Sequence, residues 1–516
     1  MVECVVVLAG APRLISGCEQ LPKPRLGLRA DRRCGRSCQE RGNPEEVTEG
    51  LHTTERTREP RRRFADPLCF GIYSGMLWCA LDGSMVMTTD LDLDSKIALL
   101  MSLAAGDQEG GPGRDPTMPL PPRLRHATEV GALRPFNLRT VQSSGPRGRQ
   151  TTLLRILMTN ACSFNCHYCP MRRDREMPRT LLKPAELVRV FLAARERGWC
   201  EGLFITTGIP GRPVKVMDDL ITVLELLRDK HRFAGYIHVK ILPGVEQAQV
   251  ERITALATRV SINLEAACGA HLTRIAPEKN LATTLATLEQ ARSFVKLERA
   301  ENAAGRPPNA LRPGGAAGMT MQLVVGATPD NDRAIVGKIA ELYAGGGIHH
   351  SQFSAFRPIR DTPMEDVRAT PAMREFRLYQ ADHLMRGYGF GVEELAFDDV
   401  GNLPLTLDPK IAWAIAHPER FPVEVRTASR SQLLRVPGIG PVASRRIVEE
   451  RSRTVIRGLT DLRKLGVLTS RAGGFLTVGG RRLQATRWSE QLGFWRAEDE
   501  VGAPHVKYDV SPGTFR

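Results

Sequence analysis

Between about residues 150 and 390 the sequence alternates short β-type runs with longer amphipathic helices. The helical segments 184–197 and 216–229 place their apolar residues three and four positions apart, on one face. The strand candidates are residues 153–158, 202–207, 236–241, 259–264, 319–326 and 349–356. Strand–helix repetition of this kind is typical of a parallel sheet with right-handed crossovers. The pattern predicts an α/β fold with a partial (β/α)6 barrel, whose functional end lies at the carboxyl ends of the strands.

The first 86 residues sustain neither helical nor strand periodicity, and they hold eleven arginines between Arg25 and Arg63. We expect residues 1–86 to be either disordered or untranslated, in which case translation starts at Met85 or Met87. Regular patterning begins in the next segment, 87–149, with an aspartate-capped helix and a linker rich in glycine and proline.

The remaining organisation follows from shifts in composition. We assign the barrel to residues 150–400, with a Pro/Gly-rich surface loop at 301–318. A connector over 401–430, a small all-α domain over 431–490 and a C-terminal tail over 491–516 complete the predicted arrangement.

Composition restricts the class of protein. The chain has 516 residues, of which 42% are hydrophobic and 25% charged, as in globular proteins of two or three domains. No run approaches the ~20 apolar residues of a membrane span, and Glu3 stands where a signal peptide would be positive. We therefore expect a cytoplasmic protein without membrane partners. In a reducing cytosol, its eleven cysteines indicate thiols or metal ligands rather than disulfides.

The net charge of +15 is concentrated near the C-terminus. Residues 426–487 hold thirteen arginines and Lys464 against three acidic residues, which gives this short stretch a net charge of +11. A basic block of this size is either a solvated face or a surface that binds phosphates.

Three cysteines fall within eight positions directly after the first barrel strand: Cys162, Cys166 and Cys169. A short loop with this spacing can hold three corners of a cubane four-iron cluster and leave the fourth iron open. A zinc site completed by His167 is the alternative, but this histidine is wedged between Cys166 and Tyr168 and poorly placed to reach the same ion. Unrelated buried thiols are a second alternative.

The spacing C-x3-C-x2-C, with the aromatic Tyr168 before the last cysteine, resembles the signature of the radical S-adenosylmethionine (radical SAM) superfamily. The resemblance implies a 4Fe-4S cluster held by Cys162, Cys166 and Cys169, with S-adenosyl-L-methionine on the open iron. It also implies cleavage of that cofactor to a 5′-deoxyadenosyl radical by an electron from a donor such as flavodoxin or ferredoxin. The protein's own contribution would be orientation and exclusion of water.

The resemblance extends to the second strand, which ends in the sequence T-T-G-I-P at residues 206–210. Superfamily members carry a glycine-rich turn here that contacts the amino group of the methionine moiety. We take Thr207 and Gly208 as candidate cofactor contacts, together with Tyr168 of the cysteine loop. Ile209 occupies the place of a common glutamate, so any amine contact would fall to backbone carbonyls.

The fourth strand places Ser261, Asn263 and Glu265 on one face, because alternate residues of a strand point to the same side. The resemblance implies contacts from these side chains to the ribose and the carboxylate of the cofactor. Ordinary polarity at a sheet end is the alternative. Cys268, three residues further on, is either a thiol on the substrate side or a partly buried cysteine.

The basic block contains "LLRVPGIGPVASRRIVEE" at residues 433–450, which resembles a helix-hairpin-helix DNA-binding motif. Glycines in such a hairpin allow backbone N–H groups to approach a phosphate, and nearby arginines add charge. The candidate DNA-binding residues are Pro437, Gly438, Ile439, Gly440, Arg435, Arg445 and Arg446. A second, degenerate helical hairpin over 459–468 is expected to pack on the first. A glycine-rich connector without a ligand is the alternative.

A radical SAM barrel joined to a C-terminal helix-hairpin-helix resembles a bacterial family of DNA modification/repair radical SAM proteins. The resemblance covers roughly residues 90–480, and it implies action on DNA and a partner similar to uracil-DNA glycosylases. A radical SAM enzyme that acts on RNA is one alternative, since phosphate contacts distinguish the two polymers poorly. A non-catalytic DNA-binding iron–sulfur protein is another, which would release no deoxyadenosine.

Overall fold

The structure is a computed structural model that describes residues 76–81, 84–89, 91–104, 138–142, 150–305 and 318–483. All of these residues belong to one unit, which extends from Leu68 to Arg516. Residues 306–317 of the predicted surface loop, the tail at 491–516 and most of the segment 1–86 lie outside the described residues. Residues 301–303, at the start of that predicted loop, are helical instead.

The N-terminal elements are β1 (Met76–Leu81), β2 (Ser84–Thr89) and α1 (Leu93–Ala104). The antiparallel pairing of β1 with β2 differs from the expectation that residues 1–86 lack regular structure. The capped helix is confirmed, since the Asp92 carboxylate accepts hydrogen bonds from the backbone N (2.9 Å) and the hydroxyl (2.7 Å) of Ser95. Helix α1 then buries one apolar face against the first barrel strand.

A seven-stranded sheet forms the barrel. Its strands are β3 (Leu138–Gln142), β4 (Gln150–Leu157), β5 (Gly202–Thr206), β6 (Ile237–Lys240), β7 (Arg259–Glu265), β8 (Gly318–Val325) and β9 (Ile348–Ala355). Each strand pairs with the next along the chain, and the pairs from β4 to β9 are parallel. This arrangement confirms the predicted six-stranded partial barrel. The sequence analysis placed β3 in a linker, whereas the strand pairs antiparallel with β4 at the sheet edge.

Helices cover the outside of the sheet. They are α2 (Pro184–Glu196), α3 (Pro213–Glu225, continued by a π-helical turn over Leu226–Lys230), α4 (Gln247–Leu256), α5 (Gly269–Ile275), α6 (Leu281–Ala303), α7 (Asp332–Ala344) and α8 (Ala372–Tyr388). Both helices predicted from periodicity are confirmed as α2 and α3. Their apolar faces, with Leu187 and Phe191 on α2 and Leu220 and Leu224 on α3, are fully buried.

The C-terminal module follows a short 3-10 turn at Val392–Glu394. Its elements are α9 (Pro409–Ala416), a 3-10 turn (Pro418–Arg420), β10 (Val423–Glu424), α10 (Arg430–Arg435), α11 (Pro441–Glu450), α12 (Leu459–Lys464), α13 (Thr469–Ala472), a 3-10 turn (Gly473–Phe475), β11 (Leu476–Val478) and β12 (Arg481–Arg482). Helices α12 and α13 form a second hairpin over Leu459–Ala472, where the expectation was residues 459–468. It contacts the first hairpin where the Leu468 N–H donates to the Gly438 carbonyl (2.9 Å).

Two expectations for this region are wrong. The module is not all-α, because β10 pairs in parallel with β11 and β11 pairs antiparallel with β12, which joins the start of the module to its end. Residues 401–430 do not form a plain connector either. Helix α9 buries Trp413 in a hydrophobic core that runs without interruption from the barrel into the module.

Candidate active site

The cysteine loop follows β4 at the carboxyl end of the barrel sheet. Cys162, Cys166 and Cys169 form no disulfide, and all three line one cavity. The Cys169 backbone N–H donates to the Cys166 carbonyl (3.2 Å), and the Met171 N–H donates to the Cys169 sulfur (3.4 Å). The chain thus turns tightly around the thiols, as the spacing predicts.

A buried arginine holds the cysteine loop from the inside. The guanidinium of Arg179 donates to the carbonyls of Asn160 and Met171 (both 2.8 Å), Arg172 (2.6 Å) and Arg175 (2.8 Å). Four carbonyls from both ends of the loop therefore converge on one side chain. Sequence analysis did not find Arg179, because nothing in the local pattern separates it from the other arginines nearby.

The turn after β5 is joined directly to the cysteine loop. The Gly208 N–H donates to the Thr159 carbonyl, and the Ser163 N–H donates to the Ile209 carbonyl, both at 2.7 Å. A Cβ on Gly208 would lie 2.2 Å from the Ala161 carbonyl oxygen, so no other residue fits there without moving the backbone. Thr207 and Gly208, the candidate cofactor contacts of this turn, both line the cavity.

Two of the three polar side chains predicted on β7 reach the cavity. Asn263 and Glu265 line it, and the Asn263 amide donates to the Glu265 carboxylate (3.1 Å). Ser261 does not line the cavity: it is fully buried one layer deeper in the barrel and hydrogen-bonds the His238 ring at 2.9 Å. Residues two apart on a strand share a face but lie roughly 6–7 Å apart along it, which explains the difference in depth.

Glu265 is the centre of a charged network. Lys279 donates to its carboxylate at 2.6 Å, and both side chains are largely buried. Burial lowers the pKa of Lys279, but the charge of Glu265 outweighs this effect, so the net pKa lies above the usual value for lysine. Burial, with the same carboxylate nearby, also raises the pKa of Tyr168, so this phenol stays protonated in the cavity. Lys279 stands in a loop after α5, where no local pattern distinguishes it from a solvated lysine.

The cavity has a volume of about 290 Å³ and collects residues from the ends of β4 to β9. Its floor carries a further polar pair, in which the Lys240 ammonium donates to the Gln322 side-chain oxygen at 2.8 Å. Lys240 is the last residue of β6, and this position at a strand end was a signal that sequence analysis left unused; Gln322 lies within β8. Arg357 and Glu375 complete the charged lining.

The donor set fits the group that the sequence resemblance implies. Burial raises the pKa of Cys166 to about 11 and that of Cys169 still further, so without a metal these thiols stay protonated at neutral pH. Iron removes that proton, because a coordinating thiol is bound as the thiolate. Beside the thiols, the buried Asn263 side-chain oxygen has no hydrogen-bond donor within the part of the chain that the structure describes. A ligand hydroxyl would satisfy this acceptor.

A family model agrees with this geometry. The model described as the radical SAM superfamily matches residues 156–297, which run from β4 into α6. The match includes the three cysteines, the turn after β5 and the polar end of β7. This segment is a radical SAM domain. Members of the superfamily are enzymes that use a 4Fe-4S cluster and S-adenosylmethionine.

Solved structures to which this chain is similar include the FeFe-hydrogenase maturase HydG from Carboxydothermus hydrogenoformans, with 18% identity and a TM-score of 0.35. The match covers 45% of this chain and 50% of that protein. Methylornithine synthase (PylB) has 11% identity and a TM-score of 0.36, with 45% and 60% coverage. The radical SAM methyltransferase TsrM from Kitasatospora setae, solved with cobalamin and a 4Fe-4S cluster, has 14% identity and a TM-score of 0.30, with 48% and 47% coverage. The chain thus spans about half the length of these proteins. No curated protein matches it.

The predicted DNA-binding hairpin joins α10 to α11, outside the radical SAM domain. Pro437 and Ile439 are buried, and the Ile439 carbonyl accepts a hydrogen bond from the buried Lys410 ammonium (2.6 Å). Gly438 has φ +83°, and a Cβ there would lie 2.6 Å from the Leu468 carbonyl oxygen. This glycine is therefore required by packing between the two hairpins. Gly440 is the N-cap of α11 and is half-buried.

One predicted DNA contact needs correction. The guanidinium of Arg435 donates to both carboxylate oxygens of Glu394 (2.9 and 2.8 Å) and to the carbonyls of Tyr388 and Gly389 (both 3.0 Å). It also lies over the Phe390 ring. Because Glu394, Tyr388 and Gly389 already bind its guanidinium, Arg435 holds the module in place and is not a phosphate contact.

Arg445 and Arg446, by contrast, are exposed on α11. Arg445 has only a loose ion pair with Glu449 (3.8 Å), and both side chains are largely in solvent. Arg446 points toward the second hairpin, where its guanidinium lies 3.6 Å from the position that a Cβ of Gly466 would take. Lys464 next to that loop is exposed as well. The two hairpins thus present positive charge on adjacent surfaces.

Proposed function

We propose that the protein is a radical SAM enzyme that acts on DNA, for modification or repair, and that holds DNA through its two C-terminal hairpins. The observation that carries the proposal is the division of the basic residues in the module. Some are fixed by internal contacts, whereas others remain exposed on and around the paired hairpins. The internal group consists of Arg435, Arg451 and Arg471. Arg426 is exposed but donates to the Ile456 carbonyl, so it is not counted in either group. The exposed group consists of Arg430, Arg445, Arg446, Arg453, Arg457, Arg463, Lys464 and Arg481.

The exposed group is what a phosphate-binding surface requires. A solvated face usually interleaves acidic with basic residues, but only Glu449, Glu450 and Asp461 are acidic between residues 426 and 483. Each cation that neutralises a phosphate releases condensed counterions, which makes the affinity strong and dependent on salt. Contacts of this kind position the backbone of the nucleic acid and leave the choice of base to the cavity.

In the cavity, Cys162, Cys166 and Cys169 would hold the 4Fe-4S cluster. Thr207, Gly208, Asn263 and Glu265 would bind S-adenosylmethionine. When bound, these groups supply a radical able to abstract hydrogen from the substrate. The chain's own residues do the rest: Arg179 orders the cysteine loop, and Lys279 forms an ion pair with Glu265. Leu242, Val324 and Phe356 line the cavity and exclude water from it.

The proposal includes two partners. An electron donor such as flavodoxin or ferredoxin would supply the reducing electron, and a protein similar to uracil-DNA glycosylases would act with this enzyme on the same DNA. No helix within the described ranges is long and apolar enough to cross a membrane.

The binding half of the proposal is tested with the double variant Arg445→Ala/Arg446→Ala. Fluorescence anisotropy of a labelled DNA duplex is measured at several salt concentrations. Removing one phosphate-binding cation should flatten the log–log salt dependence by about 0.9, so the double variant should bind more weakly with a slope smaller by up to about 1.8. Arg189→Ala, an exposed arginine on α2 of the barrel, is the matched control and should leave the slope unchanged.

An unchanged slope in the double variant would contradict the proposed DNA contact and favour the alternative, in which the basic surface is only solvated. Gly438 is not a suitable probe, since its substitution disrupts packing whether or not DNA is bound.

The catalytic half of the proposal is tested by mass spectrometry of nucleosides. DNA is first incubated with the reconstituted enzyme, S-adenosylmethionine and a reductant, and Cys162→Ala is the control. A modified nucleoside that forms only from an RNA duplex of the same sequence would favour the RNA alternative.

A further inference from the structure

A second group of metal-ligating side chains lies outside the cavity, at the neighbouring ends of β7 and β8. It consists of Cys268, which is the N-cap of α5, His271 in the first turn of that helix, and Asp330, which follows β8. One ligand atom from each of the three residues lies within 4.8 Å of the other two. The proposed reaction uses none of them.

Asp330 and His271 are joined by a short hydrogen bond. The His271 Nδ1 and the Asp330 Oδ1 are 2.6 Å apart. An ionised carboxylate can only accept, so Nδ1 carries the proton between them. Once this proton leaves Nδ1, the imidazole nitrogen and the carboxylate oxygen face each other as two ligand types for a cation.

The other oxygen of Asp330 is fixed by the protein. Its Oδ2 accepts hydrogen bonds from the Thr328 hydroxyl (2.7 Å) and from the Ala267 backbone N–H (3.2 Å). These bonds orient the carboxylate so that Oδ1 faces the histidine and the cysteine. Hydrogen bonds of this kind to a ligating carboxylate are typical of metal sites in proteins.

The chemistry of the three ligands selects the cation. One sulfur, one imidazole nitrogen and one carboxylate oxygen form a set that suits zinc, and three protein ligands leave a fourth position for water. Ligands around a tetrahedral zinc ion lie roughly 3.4–3.7 Å apart, so the His271–Asp330 pair at 2.6 Å must open by roughly 1 Å, and ligand atoms as far as 4.8 Å apart must approach by a similar amount. The thiolate and the carboxylate together neutralise a divalent charge.

We propose that Cys268, His271 and Asp330 form a binding site for one Zn²⁺ ion, separate from the cluster cysteines. On binding, the Cys268 thiol loses its proton to solvent, and the imidazole proton moves from Nδ1 to Nε2. The ion would tie the start of α5 to the end of β8. This matters for the active site, because the Ile275 carbonyl at the end of α5 accepts a hydrogen bond from the His167 N–H of the cysteine loop (2.7 Å). The proposal does not depend on the nature of the substrate.

The test measures zinc and iron together in the full-length protein with its cluster reconstituted. The protein is dialysed against buffered Zn²⁺, and both metals are determined by mass spectrometry. We expect one zinc per chain in addition to the cluster iron. Cys268→Ser and His271→Gln should each lose the zinc and keep the iron. Cys200→Ser, which removes a buried thiol that belongs to no group of ligands among the described residues, is the control and should keep both.

A second readout does not depend on stoichiometry. Zinc should raise the melting temperature of the parent protein, because a ligand that binds only the folded state stabilises it, and it should not do so in Cys268→Ser or His271→Gln. Absence of zinc from the parent, or retention of zinc by both variants, would overturn the proposal. So would loss of the zinc from Cys162→Ala alone, since the ion would then belong to the cluster cysteines.

Discussion

Replacement of Arg179 should disorder the cysteine loop while the barrel stays folded. The Arg179 guanidinium donates to four carbonyls at 2.6–2.8 Å, and the side chain is buried. Lysine keeps the charge but has one nitrogen, which can reach about two of the four oxygens in a fixed loop. Arg179→Lys therefore leaves two buried carbonyls without their donors.

The size of the effect follows from the two missing hydrogen bonds. A hydrogen bond that involves a charged group contributes about 1.5–3 kcal/mol, so two of them correspond to roughly 3–6 kcal/mol of ordering free energy. The loss falls on the loop, because all four acceptors belong to the segment between Asn160 and Arg175. If the loop is ordered for only a fraction of the time, its affinity for the ligand is multiplied by that ordered fraction. Arg179→Lys should thus retain well under half of the iron bound by the parent.

Arg228 provides a matched control. It is also buried and donates to backbone carbonyls, those of Leu256, Phe233 and Gly235, but at the end of the barrel where β6 and β7 begin. Arg228→Lys should lower the melting temperature while the folded protein keeps its iron. Iron and sulfide per chain, the cluster absorbance and thermal unfolding of the apo-protein are measured for both variants. Full iron content in Arg179→Lys, or an equal loss in Arg228→Lys, would refute the role of Arg179 in the loop.

Three further predictions follow from the cavity and the sheet. Gly208→Ala should weaken binding of S-adenosylmethionine by at least about tenfold in equilibrium dialysis, because its Cβ would lie 2.2 Å from a backbone oxygen, whereas Gly337→Ala, with open space around it, should leave binding unchanged. Lys279→Met should destabilise the protein by about 3–5 kcal/mol in urea unfolding, since it leaves the buried Glu265 carboxylate unpaired; a double variant with Glu265→Gln that recovers nothing would contradict this explanation. Burial, with Arg259 nearby, lowers the pKa of His349 to about 4. Between about pH 6.5 and 4 this histidine is therefore protonated in the unfolded chain and neutral in the folded protein. Stability should fall over this range, and His349→Gln should flatten the dependence of the urea midpoint on pH; an equal slope in parent and variant would exclude this histidine as the cause.

The elements of the barrel and the cysteine loop could be predicted because their signals are local. Burial of one helix face requires apolar residues at helical spacing, and α2 and α3 end within a few residues of the limits expected for them. The cysteine spacing defines a loop whose ligands lie within eight positions, so no distant residue is needed to form it.

Motif patterns were less reliable where the decisive partner lies far along the chain. Arg435 matches the basic flank of a DNA-binding hairpin, but Glu394, 41 positions away, engages its guanidinium. Gly438 matches a phosphate-facing glycine, yet Leu468 is the reason that no side chain fits there. A local pattern reports that a residue has a special environment, and it does not report which neighbour creates that environment.

The α/β class, the order of the six parallel strands, the cysteine loop and the position of the basic block could all be read from the linear chain, because each depends on spacing within a few turns of chain. Which charges are internal and which are exposed became clear only from tertiary packing. Arg179, Lys279 and the group formed by Cys268, His271 and Asp330 acquire their roles from residues that the fold brings together; His271 and Asp330 are 59 positions apart. Parallel strands end at one edge of the sheet regardless of their separation in sequence, and this physical juxtaposition is what a linear pattern cannot record.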